Sequence, residues 1–224
     1  GEEIVEGSEV DTKAKVPLKT VLGSSFGLFL LVGTLSSVAN NGINSQISNI
    51  MPNVYGLSEA ETSSLIALAG VLNILLFFPA GRMMAKRGGM PVYSLGVIMR
   101  LVGALGMALV GMLAENAVLV AVASMQILYQ ASPFARLAQP SVGVRFASFP
   151  PGMANGWVIA ASALGGFGGS ALGGVLADAY GFNAVNWMGA AAAALSVVIL
   201  VLALLPAARA DDDAAAGPEG AGRR

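Results

Sequence analysis

The stretch SEAETSSLIALAGVLNILLFFPA, residues 58–80, decides the fold. From Thr62 to Ala80 it carries no charged side chain. It is close to the ~20 residues that take a helix across a ~30 Å hydrocarbon layer. Its opening, Ser58-Glu59-Ala60-Glu61, has the spacing of a capping box, in which a hydroxyl and a carboxylate three residues apart satisfy two free N–H groups of the first turn. The stretch predicts a capped helix that begins at one membrane edge and runs through lipid.

Five further runs of that kind flank it. One begins at Thr20, continues to Val38 and grades into the polar, helix-compatible segment Ala39–Ile50. The others cover Val92–Ala114, Ala117–Phe134, the glycine-dense Met153–Ala177, and Ala184–Leu205, which is almost wholly Ala, Val and Leu. Lipid admits only helices or closed barrels, and the period-two alternation of barrel strands is absent. The fold class is an all-α membrane protein with six transmembrane helices. Residues 1–19 read as a solvated arm, 20–206 as the transmembrane domain, and 207–224, beyond Pro206, as a disordered tail rich in Asp, Ala and Gly. The chain begins at Gly1 and its first methionine is Met51, so a piece of a longer protein or a processed product is expected.

Charge placement tests the helix count independently. Lys13, Lys15 and Lys19 precede the first run; Arg82, Lys86 and Arg87 follow the second; Arg136 and Arg145 follow the fourth; Arg209, Arg223 and Arg224 follow the sixth. Alternation puts all of these on one face, eleven of the twelve basic residues. The opposite turns, around Asn53–Glu61, Glu115 and Asp178, carry none. The positive-inside rule then expects both termini in the cytoplasm, with the plasma (inner) membrane as the host.

Composition narrows the chemistry. The chain is 55% hydrophobic and 11% charged, with mean hydropathy +0.73. It has no Cys and no His, which removes disulfides, thiolate and imidazole metal sites, Cys nucleophiles and His acid–base work. A net charge of −1 gives nucleic acid no purchase. Neither a metal nor another cofactor is expected, and no enzyme activity.

Gly81-Arg82-Met83-Met84-Ala85-Lys86-Arg87-Gly88-Gly89 resembles the G-x-x-x-D-R-x-G-R-R loop of the major facilitator superfamily, in the degenerate form it takes between helices eight and nine. Gly81, Lys86 and Gly88 match, with Arg87 between the last two; Ala85 stands at the acid and Gly89-Met90 at the basic pair. The glycine-rich fifth run with Gly174-Val175-Leu176-Ala177-Asp178-Ala179-Tyr180-Gly181-Phe182 is similar to the family's eleventh helix and outer loop. Tyr55-Gly56-Leu57-Ser58, leading into the second run, is similar as well. The resemblance spans about residues 15–206. It implies two three-helix repeats forming the C-terminal half of a twelve-helix carrier, with an N-terminal six-helix half as partner.

Several polar residues then compete for the solute. Ser37, Asn41, Asn44 and Ser48 share one helical side, with Ile43, Ile47 and Ile50 turned largely away. Gln126 and Gln130 lie one turn apart beside Tyr129 and Pro133; Asn73 and Asn155 are weaker candidates. The resemblance places the first and fourth helices on the family's cavity, making Asn41, Asn44, Ser48, Gln126, Tyr129 and Gln130 substrate-binding candidates. The competing reading makes the same amides interhelical hydrogen-bond glue. Gly165, Gly169 and Gly173 form a small-xxx-small row for close helix packing. Gly166-Phe167-Gly168-Gly169-Ser170-Ala171 fits a dinucleotide string only by chance, for no strand precedes it. Arg100 is the one charge inside a run, expected to snorkel toward the cytoplasmic face. No carboxylate lies within any run.

These residues predict alternating-access transport, secondary active or facilitative, of a small neutral or amphipathic organic solute along a wall without charge. The rival readings are a non-transporting six-helix scaffold or assembly partner and, third, a six-helix membrane enzyme. Solute, direction and coupling ion are not written in the sequence.

Overall fold

The computed structural model describes residues 21, 23–112 and 118–211. The expected arm 1–19, the turn holding Glu115 and the tail after Asp211 lie outside the described residues. Among those described, every regular element is a helix: α1 (Ser25–Tyr55), α2 (Glu59–Arg87), α3 (Gly89–Val110), α4 (Val118–Phe146), α5 (Pro151–Tyr180) and α6 (Phe182–Asp211, with a π-turn over Leu200–Leu204). All six are long and apolar enough to cross a bilayer.

The capping box forms as its spacing requires. The Glu61 carboxylate accepts from the Ser58 N–H at 2.8 Å, and the Ser58 hydroxyl accepts from the Glu61 N–H at 3.3 Å. α1 ends on Gly56 and α2 on Gly88, whose φ of +70° and +80° only glycine adopts without strain. Those two turns reverse the chain within one to three residues.

Two helices run past the ends that their apolar runs suggest. α4 continues beyond Phe134 to Phe146, so Arg136 and Arg145, expected in a loop, are helical. Backbone hydrogen bonding persists there because neighbouring helices cover the segment; Ala135, Ala138 and Val142 are buried. α6 passes through Pro206 to Asp211, so residues 207–211 are helix rather than tail. The wide turn at Leu200–Leu204 ends one residue short of Pro206, a residue whose ring would otherwise clash with a carbonyl in the preceding turn.

Packing reveals a reciprocal arrangement. α1 packs most heavily on α5 and then α6, while α4 packs most heavily on α3 and then α2. The first helix of each three-helix repeat thus sits in the other repeat. The glycine row makes the α1–α5 contact. A Cβ placed at Gly165 would lie 2.3 Å from the Thr34 carbonyl oxygen, one at Gly169 2.4 Å from that of Val38, and one at Gly173 3.0 Å from that of Gly42. α2 and α5 are the least covered helices. Leu68, Val71, Ile74, Leu75 and Phe78 of α2 are exposed, as are Ile159, Leu164, Phe167 and Val175 of α5.

The apolar interior is split in two. One cluster gathers Phe26, Phe29, Tyr93, Val97, Phe146 and Leu204 at the end where α1 and α3 begin; Phe29 and Tyr93 rings lie 5.3 Å apart. The other gathers Ile43, Ile47, Met107, Met125, Leu128 and Val185 toward the opposite end. Between them lies a polar layer.

Candidate functional site

That layer is built from four helices. α1 contributes Gly33, Ser36, Ser37, Asn40 and Asn41, because its sequence turns from Phe/Leu/Val to Ser/Asn one turn before its midpoint. α3 contributes Tyr93 and Arg100, α4 contributes Arg136 and Gln139, and α5 contributes Ser162. They enclose a cavity of about 250 Å³. A neighbouring hollow of about 420 Å³ shares Arg136, Gln139 and Ser162 and runs over Pro140, Val158 and Ile159.

Arg100 does not snorkel. Its side chain is 6% exposed and its Nη1 donates to both the Ser36 hydroxyl and the Ser36 carbonyl, the latter at 3.3 Å. A serine on the neighbouring helix offers two acceptors, so the guanidinium stays inside the bundle. Those bonds offset part of the ~2.5–3.5 kcal/mol that an intramembrane charge costs by insertion scales. Arg136 is exposed at the rim. The wall is therefore not free of charge, as the sequence suggested: two arginines line it, and none of its lining residues is Asp or Glu. One turn from Arg136 on α4, Gln139 donates to the Ser162 hydroxyl of α5 at 3.0 Å.

The predicted site residues separate into two groups. On α1, Ile43, Ile47 and Ile50 are buried while Ser37, Asn41 and Asn44 are half-buried and Ser48 is exposed, so the polar row is the open side of the helix. Of this row Ser37 and Asn41 reach the cavity; Asn44 and Ser48 lie along the same side beyond it. The amides of α4 behave differently. Gln126 donates to the Leu65 carbonyl at 3.4 Å and Gln130 to the Ala69 carbonyl at 3.5 Å, while the Tyr129 carbonyl accepts from Asn73 at 2.8 Å. All three bonds join α4 to α2, and none of these residues lines the cavity. Asn155 lines the neighbouring hollow. The basic residues Lys86 and Arg87 and the glycines Gly81 and Gly88 lie in and after the last turns of α2, away from the cavity.

Sequence reasoning missed Ser36, Asn40, Tyr93, Arg136, Gln139 and Ser162. Arg100 carried the one usable signal, an isolated charge in an apolar run. The hydroxyls and amides that gather round it come from runs whose mutual placement no local pattern fixes.

The chain finds no match among curated proteins. The family model described as Major Facilitator Superfamily matches residues 29–223, nearly all of the six-helix bundle with its mid-depth polar layer. On that match the chain belongs to the major facilitator superfamily, a family of membrane transporters.

Proposed function

We propose that the chain is one half of an alternating-access carrier, moving a small organic solute through the polar layer between α1, α3, α4 and α5. The observation that carries this is the cavity itself: hydroxyl, amide and guanidinium groups at mid-depth of a membrane bundle, held between two apolar clusters. Secondary carriers bind solute near the midplane, where rocking of one bundle against another opens the site to either side. Ser37, Asn41, Asn44 and Ser48 form the open wall. Gln126, Tyr129 and Gln130 hold α4 to α2 behind it. The uncovered faces of α2 and α5 fit a second six-helix half, which closes the cavity laterally.

The test is uptake. The chain is co-expressed with the six helices that complete it, purified, and reconstituted with labelled neutral, cationic, zwitterionic and anionic solutes. Saturable uptake of at least one solute is expected from the pair, and none from the chain alone. Failure to co-purify with any six-helix half, or robust uptake by the chain alone as a monomer, would refute the half-carrier reading.

We further propose the plasma (inner) membrane, with the basic end of the bundle in the cytoplasm, from the segregation of the basic residues. The chain has no cysteine, so single cysteines report cleanly. Gly56 and Gly88 are poor sites because of their positive φ; exposed Ala60 and Ala85 serve instead. Ala60→Cys in intact cells is expected to react with an impermeant maleimide, and Ala85→Cys only after permeabilisation. The reverse pattern inverts the orientation.

A further inference from the structure

We propose that the solute is an organic anion, whose carboxylate is gripped by Arg100 and drawn in by Arg136. This rests on the carrier reading above and names the chemical class it carries.

Both hydrogen bonds from Arg100 to Ser36 use Nη1. Its Nε is buried and has no partner among the described residues. The Nε–Nη2 edge of this cavity-lining residue is therefore left without a protein acceptor at Nε, and that edge is the planar fork that takes two carboxylate oxygens side by side. Two more buried polar groups on the same lining lack a partner, the Tyr93 hydroxyl and the Asn40 Oδ1. Tyr93 is 1% exposed, and a buried hydroxyl without a partner among the described residues is costly to keep unless something completes it. Tyr93 can donate to an anionic oxygen, while Asn40 offers an acceptor to a hydroxyl on the same solute.

Charge balance points the same way. A second cation, Arg136, opens on the cavity that holds Arg100, and no lining carboxylate compensates either. Like charges on one cavity repel, and an anion between them turns that repulsion into attraction. An arginine serving only to tie α1 to α3 would need the Ser36 bonds alone. It would gain nothing from a vacant fork or from a second guanidinium. A neutral solute would leave both cations uncompensated when bound.

The test uses the chain assembled with its completing half in lipid nanodiscs. Equilibrium binding is measured for acetate, lactate, benzoate and succinate, each against its uncharged primary amide, with inorganic phosphate as a further probe. At least one carboxylate is expected to bind, with its amide at least tenfold weaker. Arg100→Lys keeps the charge but loses the fork, and is expected to weaken that carboxylate at least tenfold. Arg136→Gln alters an exposed side chain, so it should leave the melting temperature unchanged while weakening the carboxylate at least threefold. Equal binding of acid and amide, binding of none of the four acids, tighter binding of phosphate, or unchanged affinity in Arg136→Gln would each overturn the assignment. Saturable uptake of only neutral or cationic solutes would overturn it too while leaving the carrier reading intact. Absence of uptake for every solute class would instead remove the carrier reading.

Discussion

Gly165→Ala and Gly169→Ala, combined, are expected to destabilise the bundle by about 2–6 kcal/mol, taking ~1–3 kcal/mol for each overpacked site. A methyl at either position meets the α1 backbone first, a carbonyl oxygen in both cases. At Gly169 it would lie 2.4 Å from the Val38 carbonyl oxygen and 2.7 Å from the Val38 Cα, and at Gly165 3.0 Å from the Thr34 carbonyl carbon. A side chain can change rotamer, but the α1 backbone cannot yield without moving the helix. Against a total stability of ~5–15 kcal/mol, that is a large fraction of what holds the bundle together. Gly168→Ala is the internal control: it lies on the same helix with nothing within 4 Å of the added carbon. Thermal melts of the three proteins in detergent decide the matter. If the double variant melts with Gly168→Ala, the helices are not in backbone contact.

The second large effect concerns the amides between α2 and α4. Only Thr62, Ala69 and Ala80 of α2 are buried, so little apolar packing fastens this helix. Three hydrogen bonds do much of that work, from Asn73, Gln126 and Gln130. Interhelical hydrogen bonds in lipid contribute ~0.6–1.7 kcal/mol each. Replacing all three residues with leucine is expected to cost about 2–5 kcal/mol and to loosen α2 selectively. Hydrogen exchange would show it as lost protection in α2 with α1 and α5 little changed. Solute affinity in the protein that stays folded should hold. Weakened affinity at unchanged stability would return these amides to the solute wall.

The bundle was legible because lipid imposes a simple rule: each span must be long, apolar and helical. Residues 62–80 meet that rule visibly, and the glycine row at 165, 169 and 173 shows its period directly. The ends of α4 and α6 were less legible, because an apolar run stops where the lipid contact stops, not where the helix does. The apolar run of α4 ends before Arg136, which puts that residue in a loop by sequence alone; with Arg100 expected to snorkel, the sequence yields a wall without charge. The fate of Arg100 depended on Ser36, 64 residues earlier in the chain. Whether a long cation reaches the interface or a hydroxyl is set by which helix stands beside it. That information is tertiary.

The reciprocal packing of the two repeats also sets a timetable for biogenesis. α1 leaves the ribosome with its Ser and Asn row exposed, yet its main packing partner is α5, whose last residue is Tyr180. At ~5–20 residues per second, α1 waits roughly 6–25 s after its own completion before α5 exists. During that interval its amides must be sheltered by the insertion machinery or satisfied by transient neighbours. A ribosome stalled before residue 151 would strand α1 beside helices that do not fit it, and quality-control proteases would find it there. Synonymous codons that slow translation between α4 and α5 should therefore lower the yield of inserted protein without altering one residue of it.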